Sequence, residues 1–321
     1  MPGTPEILGD IAAALSGLAG ASALVTLMAT RRAERLAPPI GRFCDVPGAR
    51  LHYTDQGSGS AIVLIHGLGG QLRNFAPALV EHLARTFRVI AIDRPGCGYS
   101  TVRGQHPDLH AQAAMVAALL VRLETGPVML VGHSLGGALS LALVEARPDL
   151  VAGLALVAPL TRQRRDAPSA LRILTIRSAV ARALIGWLVV GPAGRLMGKS
   201  SRSVVFDPDP MPDDYATLGG GALLYRPQTF DRASRDIQAV PAAMAAIEAG
   251  YAAIERPVHV LFGRGDRILP PALHGQQFVE QVPGADLTLV DGGHMLPFTQ
   301  PLATARWIAA VASRALATRR A

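Results

Sequence analysis

Gly132-His133-Ser134-Leu135-Gly136, followed at once by Gly137, constrains this chain more than any other stretch. Ahead of it, Pro127–Val131 is a short apolar run of the kind that forms a buried strand, and behind it Gly137–Ala146 reads as a helix. A G-x-S-x-G between strand and helix sets its serine on a sharp, strained turn. The glycines remove the Cβ groups that would crowd such a turn. Ser134 is thereby exposed at the start of a helix, where backbone N–H groups point outward. An incidental serine in a glycine-rich connection has the same spelling, so the rest of the chain decides between the two.

A serine nucleophile needs a base to take its proton and a carboxylate to orient that base. Val258–Gly263 reads as a strand and runs into Arg264-Gly265-Asp266, so Asp266 falls in the loop past a strand end. Ala285–Val290 reads as a further strand and is followed by Asp291-Gly292-Gly293-His294. In a parallel sheet the loops after the strands share one edge, where Ser134, Asp266 and His294 can converge. Asp291 is a second carboxylate near His294, but the Gly-Gly turn aims it elsewhere. The end of the strand Leu154–Pro159 carries no acidic residue, which leaves Asp266 as the well-placed acid.

Two further loops extend the pattern. Ile62–Ile65 leads into His66-Gly67-Leu68-Gly69-Gly70, and Val89–Ile92 leads into Asp93-Arg94-Pro95-Gly96-Cys97-Gly98-Tyr99-Ser100. With the chain order Ser…Asp…His, these motifs make residues 42–315 resemble the α/β-hydrolase superfamily. The resemblance implies an α/β fold with a mostly parallel central sheet flanked by helices. It also implies a helical cap inserted in the core and an oxyanion hole formed by the backbone N–H groups of Leu68 and Leu135. A serine at position 134 argues against the haloalkane dehalogenases and soluble epoxide hydrolases, which use a carboxylate there.

The expected domains are an N-terminal anchor and linker at 1–41, a core at 42–160 and 257–321, and a cap at 161–256. Alternating strands and helices stop between Pro159 and Pro257. Leu171–Val190 and Ala239–Ile254 look helical, whereas Phe206–Pro212 reads as irregular backbone fixed by prolines. Ala183–Val190 is strongly apolar and reads as cap core, as the wall of an acyl pocket or as a membrane contact. Trp187, Phe206, Tyr215, Leu223, Leu224, Tyr225 and Phe230 make the cap a source of hydrophobic acyl selectivity. The implied function is a serine hydrolase that cleaves carboxylic esters through an acyl-enzyme. Thioester, amide or carbon–carbon hydrolysis, perhydrolysis and a non-catalytic accessory role are the alternatives.

Composition sets the remaining expectations. With 321 residues, half of them hydrophobic, the chain suits one catalytic domain with an insertion. Cys44 and Cys97 are its two cysteines, so no disulfide framework is indicated, and Cys97 reads as a small loop residue. No spacing suggests a metal, and no motif suggests a nucleotide cofactor. The net charge of +7 comes from scattered arginines with Lys199 the sole lysine, so no nucleic-acid partner is expected. Ile11–Thr30 is an uncharged run of 20 residues, long enough to cross a bilayer core. Arg31, Arg32 and Arg35 follow it, and a membrane anchor would then leave the catalytic domain in the cytoplasm. A soluble cytoplasmic protein with a helical extension is the alternative, and cleaved export fits the flanking charges poorly. The sequence carries no signal for an oligomeric state.

Overall fold

The computed structural model describes residues 4–163, 169–194 and 203–317. A long helix, α1 (Thr4–Leu36), precedes the sheet. Pro47-Gly48 then turns β1 (Arg42–Val46) back on β2 (Ala49–Gln56) as an antiparallel pair. β3 (Ala61–Ile65), α2 (Pro77–Ala84), β4 (Arg88–Ile92), the short β5 (Thr101–Val102) and α3 (Leu109–Arg122) follow. Next come β6 (Val128–His133), α4 (Leu135–Ala146) and β7 (Val151–Val157). After an excursion containing α5 (Ala179–Ile185) and α6 (Pro227–Ala249), the chain rejoins the sheet with β8 (Val258–Gly263) and β9 (Asp286–Val290), then ends its described part in α7 (Pro301–Ala317).

The strands lie in the order β1-β2-β4-β3-β6-β7-β8-β9, with β5 on β2. From β4 to β9 the pairing is parallel. β3, β6 and β7 are buried at every residue, as strands covered on both faces must be. Period-two alternation divides them between two cores. Val63 and Ile65 pack with α3 and α4 on one face, and Ile62 and Leu64 pack with α2 and α7 on the other. This is an α/β-hydrolase fold with a mixed, mostly parallel sheet.

Strand order reverses at β3 and β6. The chain leaves β3 toward β4 on one side and leaves β6 toward β7 on the other, so their carboxyl ends frame a crevice. His66–Gly70 and Ser134 sit on its two rims.

The excursion departs from expectation in three places. The 171–190 stretch is not one helix: a 3-10 segment (Ser169–Thr175) is separated from α5 by Ile176, Arg177 and Ser178, where Ser178 caps the new helix. α6 begins at Pro227 rather than near Ala239 and runs through Pro241. A proline there has no N–H for the Ile237 carbonyl, so that turn lacks one helical hydrogen bond. Residues 183–190 do not form core: Leu184, Trp187 and Val189 are 54, 44 and 47% exposed. Residues 164–168 and 195–202 of this stretch lie outside the described residues. α1 continues six residues past Thr30, and its Asp10–Leu36 part contains an 18-residue window of mean hydropathy 1.9, long and apolar enough to cross a membrane.

Candidate active site

Ser134 follows β6 and precedes α4 with φ 55° and ψ −121°, a left-handed conformation that a residue with a Cβ adopts only under constraint. The constraint is visible around it. A Cβ on Gly136 would lie 2.1 Å from the Ile65 carbonyl oxygen, and one on Gly132 would lie 2.6 Å from that of Gly136. The two glycines let α4 start directly against β3 and hold the turn shut. The Ser134 backbone N–H donates to the Val157 carbonyl at 3.1 Å, and its own carbonyl accepts from Gly137 and Leu160, both at 2.9 Å. The side chain is left to face the crevice.

His294 meets that side chain, its Nε2 lying 3.0 Å from Ser134 Oγ. Its Nδ1 lies 2.7 Å from Asp266 Oδ2. Asp266 Oδ1 already accepts from the Ile268 and Leu269 N–H groups at 2.8 and 2.9 Å. A carboxylate can only accept, so Nδ1 carries the ring proton and Nε2 is the lone pair offered to the serine hydroxyl. Burial works to raise the Asp266 carboxyl. The neighbouring His294 ring and the hydrogen bonds from His294, Leu269 and Ile268 outweigh it, and the pKa falls below the usual carboxylate value.

The loops bearing acid and base are tied together. Gly265 N–H donates to the Gly292 carbonyl at 2.9 Å, and a Cβ on Gly263 would sit 2.4 Å from that same oxygen. Asp291, the other carboxylate nearby, points to solvent beside Arg264 and plays no part in this chain of bonds. The structure therefore brings Ser134, Asp266 and His294 together and leaves Asp291 out.

Leu68 and Leu135 border the same cavity as Ser134 and His294. Leu135 is the first residue of α4, so its N–H has no partner within the helix. The loop carrying Leu68 presses on the nucleophile: a Cβ on Gly67 would lie 2.9 Å from Ser134 Cβ. His66 braces this loop from beneath. Its Nδ1 donates to the Gly67 carbonyl at 2.8 Å and its Nε2 accepts from Arg94 N–H at 2.9 Å, which fixes a neutral ring. Burial, and after it the Arg94 charge, pushes the His66 pKa down to about 4.

Several supporting residues escaped the sequence reading. His133 donates through Nε2 to the backbone carbonyl of His294 at 3.0 Å, with the two rings 4.9 Å apart. Burial, then the neighbouring His294, pushes its pKa down to about 3 and keeps it uncharged. Asp209, in the proline-rich loop of the excursion, accepts from Gly293 N–H at 2.9 Å and from Thr299 Oγ1 at 3.2 Å. Arg94 forms a fully buried ion pair with Asp236 of α6 at 2.7 Å and also donates to Gln112 and to the Gly67 carbonyl. Asp236 accepts in addition from Gln112 and pairs with His106. Burial would raise its carboxyl, but Arg94 and His106 overcome this and hold it at about 2. Adjacency in sequence to a motif residue was the available signal for His133 and Arg94; Asp209 and Asp236 gave none. Cys97 is buried, and burial pushes its thiol up to about 12, which leaves it an unreactive loop residue.

The cavity over Ser134 measures about 440 Å³. Leu160, Leu171, Leu224, Ile237, Val240 and Ile268 supply its apolar wall. Of the large side chains expected to shape it, Tyr215 and Leu224 reach it, whereas Phe206, Leu223 and Phe230 are buried and Trp187 is exposed. Pro241 and Ile237 both face it, so that turn of α6 lies at its wall. Among the described residues, no group of three or more His, Cys, Asp or Glu side chains has a metal-binding arrangement.

A family model described as the α/β hydrolase fold matches residues 60–301. The chain belongs to the α/β-hydrolase family. An uncharacterized protein of Mycobacterium tuberculosis is 30% identical to it over 282 residues, covering 84% of this chain and 79% of that protein. Two other curated relatives match over a segment only. The (E)-2-((N-methylformamido)methylene)succinate hydrolase of Acinetobacter baylyi is 36% identical over 106 residues, 33% of this chain and 40% of its own. The dihydrolipoyllysine-residue acetyltransferase component of the acetoin cleaving system of Pseudomonas putida is 39% identical over 130 residues, 39% of this chain and 34% of its own. A thermophilic esterase from Thermogutta terrifontis shares the fold at a TM-score of 0.67 and 23% identity, with 86% of this chain and 99% of that chain aligned.

Proposed function

We propose that the protein is a serine hydrolase that cleaves carboxylic esters with hydrophobic acyl groups. The observation that carries this reading is the unbroken hydrogen-bonded series Ser134–His294–Asp266 opening into an apolar cavity. In the first half-reaction Ser134 Oγ attacks the ester carbonyl as His294 Nε2 takes its proton. The Asp266 carboxylate holds the ring tautomer and balances the charge it gains. Leu68 and Leu135 N–H groups receive the developing oxyanion, each such donor being worth about 3 kcal/mol. His294 returns the proton to the leaving alkoxide, and the alcohol departs. Water then repeats the sequence on the acyl-enzyme, releasing the acid and restoring Ser134.

In this reading residues 161–256 act as a cap that selects the acyl group, and residues 1–41 anchor a cytoplasmic catalytic domain to the membrane. An apolar wall discriminates by roughly 10- to 200-fold per fitted methylene. kcat/KM is therefore expected to rise in graded steps along a p-nitrophenyl ester series from acetate to medium chains. The decisive test combines that series with labelling by a fluorophosphonate, which reacts with an activated serine. Labelling that survives Ser134→Ala, or a wild type inert to every ester, overturns the proposal, and turnover of thioesters alone replaces the substrate class.

A further inference from the structure

α5 and the wide turn Gly186–Val190 that continues it are built with their polar side inward. Arg182 is buried and pairs with Asp231 of α6 at 3.0 Å, while Gly186 packs against Pro227. The outward side carries Val180, Leu184, Trp187 and Val189, from 44 to 70% exposed. α1 packs against the backbone of this turn at a fixed height. Thr26 Oγ1 donates to the Trp187 carbonyl at 2.7 Å, and Ser22 Oγ donates to that of Leu188. Gly191 admits the contact, since a Cβ there would meet Thr26 Oγ1 at 2.3 Å.

Height along α1 converts to depth in a bilayer. The uncharged run Ile11–Thr30, about 30 Å long as a helix, matches a hydrocarbon core. Thr26 and Ser22 stand four and eight residues inside its Arg31 end, which is about 6 and 12 Å below that boundary. An amphipathic helix lying in an interface sinks by about 5–10 Å, so Trp187, bonded to Thr26, is held at the depth such helices reach. On the other side of Ser22, Ile11, Leu15 and Leu18 are 50, 62 and 69% exposed and stand clear of the protein body. Arg31, Arg32 and Arg35 on α1 are exposed where anionic headgroups would be, and Arg172 and Arg177 just before α5 are exposed as well. Thr175 and Arg177 also border the cavity over Ser134, together with Leu171.

We propose that residues 179–190 insert into the leaflet at the arginine end of α1, so that the cavity mouth at Leu171, Thr175 and Arg177 opens onto lipid and draws acyl esters sideways from the bilayer. The chemistry rests on the ester-hydrolase reading, whereas the docking does not.

Two measurements separate them, both on the full chain in phosphatidylcholine/phosphatidylglycerol vesicles. Trp187 and Trp307 are the chain's two tryptophans, and Trp307 is tied to Thr288 beside the sheet. The fluorescence that Trp187→Phe removes is expected to be strongly quenched by lipids brominated near the carbonyl end of their chains, with the remainder unaffected. Next, Leu184→Asp and Val180→Asp, on exposed positions, are each expected to slow hydrolysis of p-nitrophenyl palmitate held in the vesicles at least tenfold. Turnover of p-nitrophenyl acetate in water stays within twofold. Absence of Trp187 quenching, failure of the chain to bind vesicles, or equal effects on the two esters overturns the proposal. A wild type inactive on acetate with Trp187 still quenched overturns the hydrolase reading and the lipid-ester route, and leaves the membrane docking standing.

Discussion

The Arg94–Asp236 pair joins the loop after β4 to α6 of the excursion, and its removal has a calculable cost. Both side chains are essentially without solvent, at 0 and 1% exposure. Asp236→Asn keeps the shape and removes the charge, leaving the Arg94 guanidinium buried with Gln112 and the Gly67 carbonyl as its neutral acceptors. Removing one partner of a buried pair costs about 3–5 kcal/mol. An unfolding entropy of about 2.1 cal/mol/K per residue gives roughly 0.7 kcal/mol/K for a chain of this length, so Tm should fall by about 4–7 °C. Arg94→Met combined with Asp236→Leu removes both charges from the same space and should recover at least half of that loss, because no uncompensated ion remains. Thermal unfolding followed by circular dichroism on Asp236→Asn, and on Arg94→Met, Asp236→Leu and their double to close the cycle, measures both. A fall of less than about 1 kcal/mol in Asp236→Asn, or a double variant as unstable as the two single losses added together, refutes the argument that the charge pairing holds the excursion to the core.

Ser134→Ala and His294→Ala should each lower kcat on p-nitrophenyl acetate by roughly a millionfold, and Asp266→Asn by about ten-thousandfold; an Asp266→Asn enzyme of full activity would remove Asp266 from the mechanism. Gly67→Ala places a methyl 2.9 Å from Ser134 Cβ and should push back the Leu68 loop, costing roughly a hundredfold in kcat with little change in Tm. His66 and His133, held at about 4 and about 3, are depressed from an unfolded value of about 6.5. Their contribution is complete above the unfolded pKa and lost as pH falls toward the folded values, so unfolding near pH 5 takes up about two protons and stability there is lower by roughly 2 kcal/mol per histidine. Urea midpoints that stay level between about pH 7 and pH 5 would contradict this reading of the two rings.

What could be read from the chain alone were features whose physics is local. Three glycines around Ser134 announce a turn that no other residue tolerates. The unalternating runs at 62–65, 127–131 and 154–159 announce strands buried on both faces. Once those strands run parallel, the loops at Asp266 and His294 must share an edge with Ser134, so the site followed from chain order. The helix start at Pro227 was hidden by Pro241, because a proline is a local stop signal that packing at the cavity overrides. The apolar 183–190 stretch is ambiguous for a similar reason: composition reports that a segment avoids water but not which apolar neighbour receives it.

Only the tertiary structure decided the pairings that cross long stretches of chain. Asp236 finds Arg94 across 142 residues, Asp209 finds the His294 loop across 84, and Thr26 finds Trp187 across 161. A charged or hydroxyl side chain is sequence-compatible with solvent and with many partners. Its actual partner is fixed by where the sheet and the excursion carry it, and by the cost of burying it without one.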